Sequence, residues 1–568
     1  MKKIILLVFT IFFALFSQAQ QNFSDLIPEE LLIRKELYVN LQLKQNQNIK
    51  RQLELLNKTI SIDSYDVEQQ SAKAYISINN YNSFLELGYE FQILTPPSLI
   101  LPKSELDGDG NRETYEWDYY PNYQQYLDMM YQFETDFPNL CEIVNIGQSN
   151  EGREILFVHI NNNLGEDDNE PEFMYTSSIH GDEITGYVLM LRYVDYLLNN
   201  YGNDSRITKL VNDIDIWINP LANPDGTFAG GNGSVSGATR GNALGIDMNR
   251  NYHDPEDGEH PDGNQWQTET LHFMDFAEER DLIISANFHG GAEVINFPWD
   301  TWAKLAADDD WWYFVSREYA DTAHAYSPFG YLTDLDNGVT NGYAWYSISG
   351  GRQDYMNYFH HCREVTIEIS ATKMPPGSQM PQFWEYNYRS LLNYMEQVLY
   401  GVRGVVTNVF NGNTIKAEIF LDSHDMDESH IYSSIPEGNY HRLLKQGIYN
   451  FTFSAFGYHD KTITLVNAAD YQTNILDVQL EPNVGAIETN SYEISLFPNP
   501  AKDYVNIELS KTDNYLIRIF DNAGRMIYQK TIKNNTLNIS LTDYPSGIYT
   551  ISVSNNKGDL FNTKLVVE

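Results

Sequence analysis

From residue 120 to residue 400 the chain switches repeatedly between two hydrophobic periods. Short runs at 142–148, 155–160, 213–218, 282–288 and 365–369, rich in β-branched and aromatic residues, predict strands. Between them, 123–137 and 383–399 read as helices, and 183–200 as a long helix with Leu, Met and Val at helical spacing. Such alternation predicts an α/β domain built on a large central sheet. The full chain, at 568 residues, is longer than one ordinary domain.

The flanks differ in character. Residues 20–100 predict a small α/β unit, with strands at 74–78 and 89–94 and a short helix at 81–87. Residues 101–118, with Asp107-Gly108-Asp109-Gly110-Asn111, read as a linker. Its acidic run lacks the full twelve-residue loop of a calcium site, so a structural Ca²⁺ has little support. Residues 119–400 form the α/β domain, 401–482 an all-β module, 483–491 a polar linker and 492–568 a second β module. Met1-Lys2-Lys3, the apolar stretch 4–16 and Ser17-Gln18-Ala19 read as an export signal over 1–19. No later stretch has the length and apolarity of a membrane span. An excess of 78 acidic over 37 basic residues, net charge -41, argues against a nucleic-acid partner. The two cysteines, Cys141 and Cys362, leave a disulfide and a pair of buried free thiols equally open.

Chemistry concentrates at His180-Gly181-Asp182-Glu183, just after the strand-like Glu172-Phe173-Met174-Tyr175-Thr176. An imidazole and a carboxylate three residues apart can face one cation. The third ligand is expected from a distant strand end, and Ala286-Asn287-Phe288-His289-Gly290-Gly291 supplies it, with glycines that allow close approach. Two imidazoles and one carboxylate, His180, Glu183 and His289, form a zinc set that leaves a position for water.

These fragments occur in order with Asn223-Pro224-Asp225-Gly226, Gly245-Ile246-Asp247-Met248-Asn249-Arg250-Asn251-Tyr252, Asn341-Gly342-Tyr343-Ala344-Trp345-Tyr346 and Thr366-Ile367-Glu368-Ile369. Together they resemble the zinc metallocarboxypeptidases, most closely the carboxypeptidase N/E (regulatory) subfamily. The resemblance implies a mixed central sheet flanked by helices, then two small all-β sandwich modules. It implies one Zn²⁺ ion, and peptide or protein C-termini as substrates. Residues 401–482, with Gly438-Asn439-Tyr440-His441-Arg442-Leu443-Leu444, look like that subfamily's transthyretin-like domain.

Roles carry over residue by residue. Glu368 matches the glutamate that acts as general base and then as proton donor to the leaving amine. A carboxylate inside an apolar strand needs a partner or a task; Glu364, four residues earlier, reads as structural. Arg240 resembles the oxyanion-stabilising arginine, and a cation near a developing negative charge is favourable. Arg250, with Asn249, resembles the anchor of the substrate carboxylate, which a guanidinium binds through paired hydrogen bonds. Tyr346 matches the mobile tyrosine that covers the substrate terminus, and Asp247 the carboxylate that orients His180. In Asn296-Phe297-Pro298-Trp299-Asp300, Asp300 matches the acidic pocket residue that meets a basic side chain, and Gln353 resembles a second pocket residue. Release of Lys or Arg is therefore expected. Arg352 stands where the pattern has an apolar residue, and a charge directed into the pocket would oppose that specificity. Of the other histidines, His253, His260 and His272 read as parts of a solvated loop region, and His360-His361 has no partner at metal-ligand spacing.

The last module, with Leu496-Phe497-Pro498-Asn499-Pro500, resembles the C-terminal sorting domain of Bacteroidetes type IX secretion cargo. That implies the type IX machinery as a partner and export through the periplasm and outer membrane, with the product secreted or held at the cell surface. The 20–100 unit looks like the pro-region of some secreted relatives. Two other functions fit the same features: a zinc peptidase acting on peptidoglycan stem peptides, and an inactive peptidase-like surface binding protein.

Overall fold

The computed structural model describes residues 27–107, 116–165, 170–483 and 494–567, apart from 503, 510–513, 522–524, 543 and 556–559. The expected export signal, the centre of the 101–118 linker and nearly all of the 483–491 linker lie outside the described residues.

The N-terminal segment is a four-stranded sheet of β1 (Glu36–Gln42), β2 (Ser61–Asp66), β3 (Ser71–Ser77) and β4 (Phe91–Ile93), in the order β2-β3-β1-β4. β1 lies within the Leu-, Lys- and Gln-rich stretch whose composition gives no strand signal. Alternation explains it: Leu37, Val39 and Leu41 are buried together with Leu53 and Leu56 from the helix Ile49–Asn57.

The α/β segment carries eight strands: β5 (Cys141–Gln148), β6 (Glu154–Ile160), β7 (Glu172–Ser177), β8 (Asp215–Asn219), β9 (Leu282–His289), β10 (Glu293–Phe297), β11 (Val339–Asn341) and β12 (Arg363–Ile369). Their order is β11-β10-β12-β9-β7-β8-β6-β5. The middle strands β8, β7, β9 and β12 run parallel, whereas β6 pairs antiparallel to β8 and β10 antiparallel to β12. The sheet is mixed, as expected. Its strands alternate between two cores. Phe173 and Tyr175 face the helices Thr185–Asn200 and Met380–Glu396, while Met174 and Trp217 face Phe273 and Phe276 of the helix Thr268–Glu278. Residues 213 and 214, expected to open a strand, instead close the helix Ser205–Asp213, whose N-cap Asp204 accepts hydrogen bonds from the amides of Arg206 and Ile207. Both cysteines are free thiols, Cys141 in one core and Cys362 in the other, so the sheet separates them.

Eight further strands follow: β13 (Gly401–Asn408), β14 (Glu418–Leu421), β15 (Ile431–Tyr432), β16 (Asn439–Arg442), β17 (Gly447–Ser454), β18 (Lys461–Ala468), β19 (Thr473–Ile475) and β20 (Val478–Leu480). They form two four-stranded sheets around Val402, Ile419, Phe451, Phe453 and Leu480. Buried ion pairs tie this segment to the α/β segment. Asp308 accepts from Arg363 Nη2 at 2.7 Å and Arg442 Nη1 at 2.8 Å, and His424 Nε2 lies 2.8 Å away. Burial alone would raise the Asp308 pKa, but the two guanidinium charges hold it far below the carboxylate range.

The C-terminal unit is separate. β21 (Ile494–Phe497), β22 (Tyr504–Leu509), β23 (Tyr515–Phe520), β24 (Met526–Ile532), β25 (Thr536–Ser540), β26 (Gly547–Asn555) and β27 (Leu560–Val567) make two antiparallel sheets. Val505, Ile507, Ile517, Ile519 and Ile551 fill the space between them. Among the described residues, no helix is long and apolar enough to cross a membrane.

Candidate metal centre and active site

Parallel strands leave their C-terminal ends on one edge, where loops of different origin converge. β7 ends at Ser177 and its loop carries His180 and Glu183; β9 ends at His289; and Glu368 lies directly opposite His289 in the β9–β12 register. The His180 loop is fixed from outside. Asn223 Nδ2 donates to Ile179 O at 3.1 Å, Thr227 Oγ1 to Gly181 O at 3.0 Å, and Gly181 N to Arg240 O at 3.1 Å. A side chain at Gly181 would collide with the backbone of Gly226. The Asn223-Pro224-Asp225-Gly226 turn is thus a scaffold for the ligand loop, and buried Asp225 is held in turn by Arg153 Nη1 at 2.6 Å.

The structure brings His180, Glu183 and His289 together, all buried. His180 Nδ1 lies 3.0 Å from Glu183 Oε2, His289 Nδ1 lies 2.8 Å from the same oxygen, and the two Nδ1 atoms are 3.1 Å apart. The outer ring nitrogens are already engaged: His180 Nε2 with Asp247 Oδ1 at 3.0 Å, and His289 Nε2 with the Asn287 amide at 2.9 Å. With Nε2–H directed at Asp247, His180 turns a lone pair inward. Burial pushes the His289 pKa down to about 4, keeping that ring neutral. Imidazole nitrogens and a carboxylate oxygen around one point suit a cation. Zinc bonds of about 2.0–2.1 Å would require the triangle to open only slightly. The donor set fits zinc.

Burial tends to raise the Glu183 pKa, but the adjacent His180 ring and the Lys373 ammonium prevail and hold it well below the usual range. Glu183 Oε1 accepts from Arg240 Nη1 at 3.1 Å and from Lys373 Nζ, leaving Oε2 for the metal. Arg240 Nε also donates to Asp247 Oδ2 at 2.9 Å. Asp247 is likewise held low, because Arg240 and His180 outweigh its desolvation. Neither Lys373 nor Asp182 stood out in the sequence; nothing in their local spacing signals a buried cluster.

Glu368, Asn249, Arg250, Asp300 and Tyr346 line the same cleft as the three candidate ligands. Among the described residues, Glu368 Oε2 has no hydrogen-bond partner. Burial, then the charge of Glu183, pushes the Glu368 pKa well above the carboxylate range. Arg250 Nη1 donates to Asn249 O at 2.7 Å, and its Nε is unpartnered. Tyr346 is pushed up to about 12 by burial.

Asp300 accepts from Asn296 Nδ2 at 3.0 Å, and burial pushes its pKa up to about 6. A side chain at Gly342 would strike this carboxylate, so glycine there keeps it accessible to the cleft. Gln353 stands behind the wall, its Oε1 accepting from Thr366 N at 2.8 Å. Arg352 turns away from the cleft: its Nε and Nη2 each donate to Glu364 at 3.0 Å, and both side chains are fully buried. Its charge is neutralised inside the protein and does not oppose a basic substrate. Asp254, which begins an acidic loop, is satisfied by the amides of Glu256, Asp257 and Gly350.

The N-terminal segment closes the cleft. Its Ile62 and Asp63 line the space beside the ligands, of which only about 50 Å³ remains. Asp63 lies 3.0 Å from Lys373 Nζ, Ser61 Oγ donates to Asp247 Oδ2 at 2.6 Å, and Tyr75 OH donates to Asp182. Glu36 accepts from the amides of Arg240 and Gly241 at 3.0 and 3.1 Å.

Comparison with known proteins agrees with this geometry. Residues 126–390 match the zinc carboxypeptidase family, and residues 495–568 match the secretion system C-terminal sorting domain. The carboxypeptidase N catalytic chain of Mus musculus is 31% identical over 424 residues, covering 68% of this chain and 90% of that protein. Carboxypeptidase E of Caenorhabditis elegans is 28% identical over 435 residues, covering 68% and 92%. Carboxypeptidase D of Mus musculus is 33% identical over 360 residues and covers 60% of this chain; the match spans only 26% of that longer relative. Carboxypeptidase A from Helicoverpa armigera shares the fold, with a TM-score of 0.50 at 17% identity, covering 64% of this chain and 97% of that one. The α/β segment and the residues converging at its sheet edge place the chain in the zinc carboxypeptidase family.

Proposed function

We propose that this chain is an exported zinc metallocarboxypeptidase that hydrolyses the last peptide bond of peptides or proteins and releases Lys or Arg. The observation that carries this reading is the convergence of His180, Glu183 and His289 beside Glu368 in one cleft. His180, Glu183 and His289 would hold the zinc, which when bound would acidify a water and polarise the scissile carbonyl. Glu368 takes the proton of the attacking water and passes it to the leaving amine. Its unpartnered Oε2, beside the candidate ligands, is free for that exchange. Arg250, with a free Nε, binds the terminal carboxylate beside Asn249. Arg240 stabilises charge on the carbonyl oxygen. Tyr346 covers the bound terminus, and Asp300 meets the cationic side chain.

The flanking segments take their own roles. The 401–482 sandwich acts as a transthyretin-like companion, anchored through Asp308. The C-terminal unit directs export by the type IX machinery to the cell surface or beyond. The 20–100 unit acts as an inhibitory pro-region, supported by the placement of Ile62 and Asp63 beside the ligands.

The test is turnover by the full chain, before and after cleavage within 101–118, on matched peptides ending in Arg, Lys, Phe and Glu, with and without a chelator. The expected result is chelator-sensitive release of Arg and Lys that rises after cleavage. Release of Phe instead would discard the role of Asp300. No release from the cleaved, zinc-loaded chain after high dilution would discard the peptidase reading.

A further inference from the structure

A second cluster of metal-binding side chains lies at the other end of β12. His361 lies two residues before that strand, whereas Glu368 is near its far end. Seven residues at about 3.3 Å each put roughly 20 Å between them. Around His361 stand Glu428 and His430, from the loop joining β14 to β15 in the following β segment. One ligand atom from each of the three lies within 4.8 Å of the other two. No residue of this cluster takes part in the proposed hydrolysis.

The local chemistry prepares the imidazoles as ligands. His361 Nδ1 lies 2.8 Å from the backbone oxygen of Glu428, so Nδ1–H donates and Nε2 keeps its lone pair. The His361 ring centroid lies 4.6 Å from that of His430. His430 Nε2 lies 3.6 Å from Glu428 Oε2 and 3.0 Å from Tyr432 OH. The adjacent cation, Arg363, is already engaged by Asp308 at 2.7 Å and by Ser429 O at 2.7 Å. His361 and Glu428 both hold left-handed backbone, with φ of 54° and 59°, and so does neighbouring Asp427 at 52°. Such conformations are uncommon for residues other than glycine and persist where surrounding structure enforces them.

We propose that His361, Glu428 and His430 bind a divalent transition cation, zinc or one of similar preference, which staples the 401–482 segment to the α/β segment. Imidazole and carboxylate suit zinc, copper and nickel rather than calcium or magnesium. Three protein donors leave a position for water. Exposed Glu428 supplies the reach that draws the ligand atoms to bonding distance.

Metal content tests the site independently of peptidase activity. The full chain is saturated with zinc, freed of excess, and its zinc per chain is compared with that of His361→Asn, Glu428→Gln and His430→Ala. Asparagine tolerates left-handed backbone, and Glu428→Gln preserves shape, so these two variants remove a ligand with little effect on folding; circular dichroism checks each. The native chain is expected to hold one zinc more than each variant. Added zinc should raise the thermal midpoint of the native chain by more than those of the variants, which keep the site at His180, Glu183 and His289. Equal zinc content in native and folded variant chains would overturn the proposal, whether or not the catalytic ion is present. A zinc-induced thermal shift as large in His361→Asn as in the native chain would overturn it as well.

Discussion

Half-buried Glu368 and buried Asp300 are both carboxyls with raised pKa values, but their environments divide their work. Glu368 faces the candidate ligands with an unpartnered oxygen, and Asp300 sits farther along the cleft, held by Asn296. Glu368→Gln should retain zinc while lowering kcat by about 100-fold or more, a typical contribution of a positioned base; metal analysis beside steady-state kinetics checks both halves. Asp300 has a pKa of about 6, raised from its usual range, so its charge is present above that pH and is lost as pH falls through it. The ratio of kcat/KM for Arg over Phe termini should therefore fall between pH 7 and pH 5. Taking the ratio cancels the titration of Glu368, which acts on every substrate. A flat ratio would remove Asp300 from the specificity pocket. The Arg352–Glu364 pair yields a stability prediction. Removing one partner strands a buried charge, so Arg352→Met should cost about 3–5 kcal/mol in denaturant unfolding, and adding Glu364→Leu should recover much of it. The candidate ligands, Glu368 and Asp300 were legible because each sits in a short motif. The orientation of Arg352 was not, because its partner Glu364 lies on a strand and only tertiary packing decides which way the guanidinium turns.

The segment that fills the cleft is the small N-terminal sheet. Its β2 strand delivers Ser61, Ile62 and Asp63, and β3 delivers Tyr75, so two adjacent strands address Asp247, Lys373 and Asp182 together. Asp63→Asn weakens one of these contacts without touching the α/β segment. It should raise the activity of the uncut chain severalfold and leave unchanged that of the chain cut and freed of its N-terminal segment; activity assays on both forms decide it. Equal gains in both forms would mean that Asp63 acts through folding rather than through cover. The sequence showed a small α/β unit here but not its contacts, since Ser61, Asp63 and Tyr75 are unremarkable residue types without characteristic spacing. The same reason hid the His361 cluster: its two partners belong to a loop 67 residues away and more, beyond any local pattern. Strand alternation made most of the central sheet legible, while 213–214 was misassigned because a helix end and a strand start share one apolar run.

Across the whole molecule, the described chain falls into a large unit through Pro482 and a smaller one from Asn483. Within the large unit, the N-terminal sheet is joined to the α/β segment by one passage of chain and otherwise only by hydrogen bonds, ion pairs and packing. A cut in that passage leaves the cover seated and changes only its effective concentration. While tethered, the cover faces its cleft at a local concentration of millimolar order; once cut, it obeys ordinary mass action. Nicked protein should therefore stay quiet when concentrated and become active on dilution, with a lag set by dissociation of the cover. Activity followed after dilution of a fully nicked sample measures this, and immediate full activity at every concentration would mean that the cover leaves as it is cut. For the exported peptidase proposed above the consequence would be spatial: cleavage in a crowded compartment and activity in a dilute one would become separate events, with release into the surroundings as the second trigger.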